Sequence, residues 1–462
     1  MTQSEALDIL KTGANVFLTG EPGSGKTYVI NKYVSYLRRR AVEPAITAST
    51  GIAATHIGGM TLHSWSGIGI KAKLDKYDLD RIASTKNIAR RVGLAKVLVI
   101  DEVSMLLPET FSMVDAVCRE IKQSQEPFGG MQVILVGDFF QLPPVEKRNL
   151  EHFEQLLGEA PHRFAYSSPV WKKMSPIVCY LTEQHRQEDP DFIKLLNAIR
   201  QNIFSDEHLR HIQKRKIGLG DAPKDAPKLF SHNADVDRVN NEILEKLPGV
   251  ERIYNMSSRG PGSYVAALKR GCLSPEILRL KTGSAVMFTK NSPPDGFVNG
   301  TLGTVEKFDD DGRPVVKIRN GKRIVVGEAD WAMEEGGKIL AWIMQLPLRL
   351  AWAMTVHKSQ GMSLDEAVAD LSEVFEFGQG YVALSRVRKL SGLHILGWNE
   401  LAFQVHPEVL AEDEEFRLRS EDALLAFNQL GETEMLSMHD RFILACGGKA
   451  KKRMALKNTG KP

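Results

Sequence analysis

Eight residues near the start of the chain, Gly20-Glu-Pro-Gly-Ser-Gly-Lys-Thr27, constrain it more than any other stretch. They follow an apolar run, Val16 to Thr19, and lead into a segment in which Val29, Ile30, Tyr33, Val34 and Leu37 recur at helical spacing. The glycines therefore sit at a strand-to-helix turn, where backbone N–H groups can wrap around phosphate oxygens and the helix N-terminus adds positive potential. Gly20, Glu21, Pro22, Gly23, Ser24, Gly25, Lys26, Thr27 and the following Tyr28 are the candidate nucleotide-binding residues. Lys26 can reach the outer phosphates, and the Thr27 hydroxyl can hold a magnesium ion. Such a loop establishes nucleotide binding and leaves open what the nucleotide is used for.

A second feature narrows that use. Val97-Leu-Val-Ile100 reads as a fully buried parallel strand and ends abruptly in Asp101-Glu102. A carboxylate at the end of a strand beside the P-loop strand can hold magnesium, and the next glutamate can orient and deprotonate a water. The pair points to hydrolysis, since a kinase needs a pocket for its acceptor instead of a base aimed at water. Val133 to Val136 repeats the buried-strand pattern, and Phe111 to Lys122 between them is an amphipathic helix. Ser66 to Lys96, charged and weakly patterned, suits a small insertion. Strands alternating with helices to about residue 185 imply a doubly wound parallel sheet, with the site at the strand carboxyl ends.

A second alternating region follows, with a strand at 177–181, a helix at 191–200 and another strand at 228–231. Between Gly283 and Trp342 short strands and Gly turns (Asn299-Gly300, Asp311-Gly312, Asn320-Gly321) indicate a small β module inserted into the second α/β domain. The closing strands of that domain are expected at 368–371 and 392–395, and a helical stretch at 409–445. The residues after Gly447 read as a basic tail without hydrophobic periodicity. The expected division is 1–185 (with the insertion 66–96), 186–296 plus 344–405, the β insertion 297–343, a helical segment 406–446 and a tail 447–462.

With 462 residues the chain is long enough for several cores, and its net charge of only +3 gives no general attraction to a polyanion. Any nucleic-acid surface must be local. Four scattered cysteines, none in a C-x-x-C pair, suggest neither a zinc site nor a disulfide framework. No apolar run approaches the roughly 20 residues of a membrane span. A soluble protein in a reducing compartment is expected.

The P-loop, Thr50-Gly-Ile-Ala-Ala54, Thr61-Leu-His-Ser-Trp65, Ile100 to Leu106, Gly137-Asp-Phe-Phe-Gln-Leu-Pro-Pro144, Thr355-Val-His-Lys-Ser-Gln-Gly361 and Tyr381-Val-Ala-Leu-Ser-Arg386 together resemble the ordered motifs of Pif1-type helicases, of superfamily 1B and related to the RecD group. The resemblance runs from about residue 3 to 397. It implies an α/β fold of two RecA-like P-loop motor domains, doubly wound parallel sheets, with a small inserted SH3-like β module and a wedge near 66–96. It also implies an ATP- and Mg2+-dependent motor that moves 5′ to 3′ on single-stranded DNA and opens forked or structured DNA in repair, recombination or replication. A monomer with no membrane partner is expected, in the nucleoid-associated cytoplasm if the source is bacterial.

By the same resemblance Arg186 and Arg386 are arginine fingers supplied by the second motor, Gln141 senses the γ-phosphate and Gln3 reads adenine. With Lys26 and Glu102, the two arginines and Gln141 form the expected catalytic set. Thr27 and Asp101 are the expected metal ligands. Thr50, His63, Trp65, His357, Lys358 and Ser359 are the expected DNA contacts, with Trp65 equally able to be core and His357 to serve the interdomain contact. Two other classes compete: a P-loop kinase or small-molecule NTPase, which has no use for Arg386 presented from a second domain, and a nucleotide-gated DNA-binding protein without unwinding, which a strand-displacement assay separates.

Overall fold

The computed structural model describes residues 1–50, 53–54, 59–69, 71–144, 163–184, 189–223, 226–290, 292, 294–297, 300–318, 321–335 and 338–449. Its first sheet is formed by β1 (Val16–Gly20), β2 (Ala45–Ala48), β3 (Met60–Thr61), β4 (Val97–Asp101), β5 (Gln132–Val136) and β6 (Ile177–Leu181), in the spatial order β3-β2-β4-β5-β1-β6. Every pairing is parallel. All five residues of β1 and of β5 are buried, which is why these strands read as unbroken apolar runs, without alternation. Two expectations change here. Strand 177–181 pairs with β1 along its whole length and belongs to this first sheet, not to a second alternating region. The Asp-Glu strand β4 is also not beside the P-loop strand, because β5 lies between them.

Helices cover both faces of this sheet. Helix Pro108–Lys122 starts with proline at its first turn, a position whose N–H has no intrahelical partner anyway, and buries Phe111, Val114, Val117 and Cys118. Helices Lys76–Ser84 and Lys86–Leu94 pack against it through Ile82, Val92 and the partly buried Ile88. The 66–96 region therefore contributes to the core of the first domain, while Tyr77 and Leu94 stay exposed on its outer side.

The second sheet has four parallel strands in the order Ala353–Thr355, Lys228–Phe230, Ala367–Leu371, Leu393–Trp398. Helix Gln379–Ser385 lies behind it, with every residue buried. One apolar cluster runs without a break from Phe17 and Phe139 of the first domain to Leu229, Met354 and Val382 of the second.

The inserted module is a five-stranded antiparallel sheet of Arg323–Val325, Pro314–Ile318, Leu302–Phe308, Ala285–Phe288 and Leu348–Leu350 around Phe288, Phe297, Val305 and Leu348. Its first and last strands lie outside the 297–343 span. The intervening hairpin, Ala329–Glu335 with Lys338–Gln345, pairs instead with Ser257–Arg259. Beyond residue 405, helices Pro407–Asn428 and Glu432–Ala445 fold back onto the first domain. Tyr180 N–H of the edge strand β6 donates to Ser420 Oγ (3.0 Å), and His439 Nε2 meets the Asp8 carbonyl (2.9 Å). Among the described residues, no helix is long and apolar enough to cross a membrane.

A candidate nucleotide site between two motor domains

The carboxyl ends of β1 and β4 open into one cleft. Gly20, Gly23 and Gly25 all have positive φ, and a Cβ at Gly20 would lie 2.6 Å from the Leu181 carbonyl, so the turn from β1 into helix Lys26–Arg38 requires glycine there. Lys26 Nζ donates to the carbonyls of Gly20 (2.7 Å) and Glu21 (3.1 Å), which holds the ammonium over the loop. Gln3 opens helix Gln3–Lys11. Its side-chain amide donates to the Ser24 carbonyl (3.0 Å) and its backbone N–H to Glu183 (2.7 Å), so this residue, 17 positions ahead of Gly20, is fastened directly to the P-loop. The Thr2–Glu5 capping box secures the start of that helix. Ser24 is buried, and Glu21 accepts from Gln184 (2.5 Å). Tyr28 is 54% exposed with Lys32 over its ring, outside the residues that line the cleft.

A cavity of about 480 Å³ is lined by Gly23, Lys26, Thr27, Glu102 and Gln141 of the first domain and by Gly361, Ser363, Arg386 and Arg388 of the second. Arg386 is 1% exposed and caps helix Gln379–Ser385. Its Nε donates to Val382 O (2.9 Å) and its Nη2 to Ser385 Oγ (2.8 Å), a fixed presentation from across the cleft. Arg186 lies outside the described residues.

A neighbouring cavity of about 280 Å³ joins Thr27, Asp101 and Glu102 to Thr50, His357 and Gln360. Glu102 adopts the left-handed conformation (φ 53°), uncommon for a non-glycine residue and concentrated at functional sites. Its carbonyl accepts from Ser49 Oγ (2.7 Å), and its carboxylate accepts from Gln360 Nε2 (3.0 Å) of the second domain. Burial raises the proton affinity of both carboxyls. Glu102 adds to this at Asp101, while Lys26 and Arg386 pull Glu102 back down. Two partly buried carboxyls beside a threonine hydroxyl are all-oxygen donors that suit Mg2+, a hard cation commonly held by one or two carboxylates plus substrate phosphates. Thr27 and Asp101 would be its protein ligands.

Gln141 is buried, and its amide donates to Asp138 Oδ2 (3.3 Å). Asp138 in turn accepts twice from Arg200 Nη1 (2.8 and 2.9 Å), and Arg200 reaches the hydroxyls of Tyr180 (2.8 Å) and Tyr381 (3.3 Å) and the carboxylate of Asp413 (3.5 Å). Its guanidinium stacks 4.0 Å from the centre of the Phe140 ring. Nothing in the sequence singles out Arg200: it stands at the end of a helix, where a cation is ordinary. Gln360 and Asp138 lie inside motifs already quoted, and only their contacts show their roles. Gly378 (φ +77°) precedes helix Gln379–Ser385 and packs on the same loop, where a Cβ would come within 2.5 Å of the Phe140 carbonyl and 2.8 Å of that of Gln141.

Of the expected strand contacts, Thr50, His357 and Lys358 meet at the 280 Å³ cavity. Lys358 donates to Asn233 Oδ1 (3.1 Å), and burial together with the Arg349 charge brings its ammonium down to about 8. His63 is half-buried on helix Leu62–Ser66. Trp65 is 3% exposed within the main apolar cluster and presents no ring to a strand, because its helix turns that face inward. Ser359 is fully buried with its hydroxyl donating to Val356 O (2.7 Å), so it has no free hydroxyl for a phosphate.

The family model for PIF1-like helicases matches residues 3–210, and that for the Pif1 2B domain matches residues 263–308. The chain is 39% identical to the ATP-dependent DNA helicase Pif1 of Psychrobacter sp. (strain PRwf-1), over 97% of this chain and 75% of that protein. It is 38% identical to human PIF1, over 88% of this chain and 62% of that protein. Among solved structures, Pif1 helicase from Candida albicans superposes with a TM-score of 0.80 at 32% identity, covering 89% of this chain and 98% of that one. Bacteroides Pif1 bound to ssDNA gives 0.68 at 30% identity, covering 91% and 97%. With motifs, fold and cleft in agreement, the chain belongs to the family of PIF1-like helicases.

Proposed function

We propose that this chain hydrolyses ATP with Mg2+ and uses the cycle to move 5′ to 3′ along single-stranded DNA, opening forked or structured duplex ahead of it. The observation that carries this reading is the shared wall. Lys26, Glu102 and Gln141 face Arg386 across one cavity, and Glu102 also faces Thr50 and His357 across the adjoining one. A base and a cation on opposite domains need closure to act together, and the strand-facing loops are part of the same wall.

The residues divide the work. Gln3 and the P-loop backbone hold the nucleotide, and Lys26 neutralises its outer phosphates. Thr27 and Asp101 would hold Mg2+, which would supply neutralisation of phosphate charge. Glu102 orients the water and accepts its proton. Arg386 meets the charge that develops on the γ-phosphate, and Gln141 reports its presence through Asp138. Thr50 on one domain and His357 with Lys358 on the other change their spacing as the cleft closes, which is a step along a strand. The names of similar proteins support the reading: a Bacteroides Pif1 was solved in complex with ADP-AlF3 and ssDNA.

Matched duplexes carrying a 5′ or a 3′ single-stranded tail, incubated with protein and Mg-ATP, test activity and direction together. The 5′-tailed substrate is expected to separate and the 3′-tailed one to persist; opening of the 3′-tailed duplex alone reverses the direction, and opening of neither removes the motor.

A further inference from the structure

Behind the His357 loop, three aromatic rings lie face to face. Phe375 stacks on His232 with ring centres 4.7 Å apart and on His357 at 6.5 Å, with interplanar angles of 27° and 16°. Phe375 nevertheless remains 51% exposed, unusual for a phenylalanine already flanked by other rings. Its placement is enforced from the backbone. Phe375 N–H donates to Gln379 Oε1 (3.3 Å), and the Nε2 of the same fully buried glutamine donates to the carbonyl of Ser231 (3.3 Å), the residue before His232. One buried side chain thus sets both Phe375 and His232. On the other side of His232, Asn233 receives the Lys358 ammonium. An exposed ring held rigidly beside a cation has the two components that single-strand binding uses, a stacking face for a base and a positive charge for its phosphate.

We propose that Phe375, backed by His232 and His357, is a stacking platform for one base of the single strand on the second motor domain, with Lys358 holding an adjoining phosphate. This rests on the helicase reading and adds the contact by which the second domain grips a base. Every base has a π-face, so the platform is indifferent to sequence, as translocation demands. Gln379 also opens the helix that Arg386 caps, so the platform and the guanidinium facing the nucleotide are carried by one seven-residue rod.

The test compares wild type with Phe375→Ala, Phe375→Leu and Phe375→Tyr in binding a fluorescent oligothymidylate, and repeats it with strands carrying a single abasic site at each successive position. Phe375→Ala and Phe375→Leu are expected to weaken binding by about 5- to 150-fold, as loss of one base–aromatic stack gives, with Phe375→Tyr close to wild type. The abasic scan is expected to show one position where wild type loses affinity and Phe375→Leu loses nothing further. Wild-type affinity in Phe375→Leu, or an abasic scan of wild type without such a position, overturns the platform while leaving the helicase intact. A wild type that neither binds the strand nor hydrolyses ATP faster in its presence overturns the helicase reading and the platform together.

Discussion

At the scale of single residues the proposed function divides the cleft into groups that bind and groups that act during reaction. Glu102→Gln keeps the shape of the side chain and its contact with Gln360 but removes the base, so ATP hydrolysis is expected to fall by about 10²- to 10⁴-fold with nucleotide affinity within a few-fold of wild type. Arg386→Ala is expected to cost about 10³-fold or more in the same assay, the usual worth of an arginine finger. Stopped-flow phosphate release and binding of a fluorescent nucleotide measure the two quantities separately; a variant that loses affinity and rate in proportion would place its residue in ground-state binding. Arg200 makes a prediction of another kind. Arg200→Met leaves Asp138 buried without its cation, and breaking a buried pair from one side costs about 3–5 kcal/mol, so the urea midpoint should fall sharply. An unchanged midpoint means that water or Tyr180 compensates. The P-loop and the Asp101-Glu102 pair could be read because phosphate and metal binding need fixed residue types at fixed spacing, whereas Arg386 stood out only through the family resemblance. Arg200 could not be read, because a buried guanidinium is defined by partners 62 and 213 positions away and leaves no local pattern. Trp65 stayed open between strand contact and core for the same reason in reverse: an aromatic residue in such a loop looks alike whether its ring turns in or out.

At the scale of elements, the parallel strands could be read directly, since strands buried on both faces leave unbroken apolar runs. Their neighbours could not: 177–181 was grouped with the second alternating run although the expected division at 185 kept it in the first domain, because nothing in a strand states its partner. The inserted module was visible through its Gly turns, but its first and last strands were hidden by resembling ordinary strands of the parent domain. Helix Pro407–Asn428 falls within the helical stretch expected at 409–445, but its inner face was not legible. It buries Val409, Asp413, Phe416 and Ser420 yet exposes Leu418 and Leu425, so apolar residues lie all around it and blur its inner face. Phe416 packs against the rings of Phe17, Phe139 and Tyr166 with centres 5.0–6.1 Å apart, inside the first motor. Phe416→Ala is therefore expected to destabilise that domain by about 3–5 kcal/mol, in the range of a buried aromatic truncation, although its position in sequence is far beyond the domain's last strand. Differential scanning calorimetry checks it: the first-domain transition should move down, and a shift confined to a later transition would assign the helix to the second motor. The same helix covers the outer side of β6, an edge that would otherwise be open to pairing with another chain.

At the scale of the whole molecule, two motors share one nucleotide cleft and a continuous apolar cluster, and closure has to be reconciled with that continuity. The close approach of Gly378 to the carbonyls of Phe140 and Gln141 is one place where the two bodies touch. Gly378→Ala introduces a Cβ into that gap at a left-handed φ and should act as a shim. Nucleotide binding to the P-loop should persist, while DNA-stimulated hydrolysis should fall by at least about 10-fold because Arg386 is displaced from the phosphates. Retained hydrolysis would show that the contact gives way freely. Bare backbone set against bare backbone has no interdigitated side chains to ratchet past one another, so a closure that pivots on this point meets little resistance. Gln141, proposed above to sense the γ-phosphate, sits at that contact. In that proposed role a residue at the pivot need not travel with either jaw, and a bound phosphate would be registered as an angle between them.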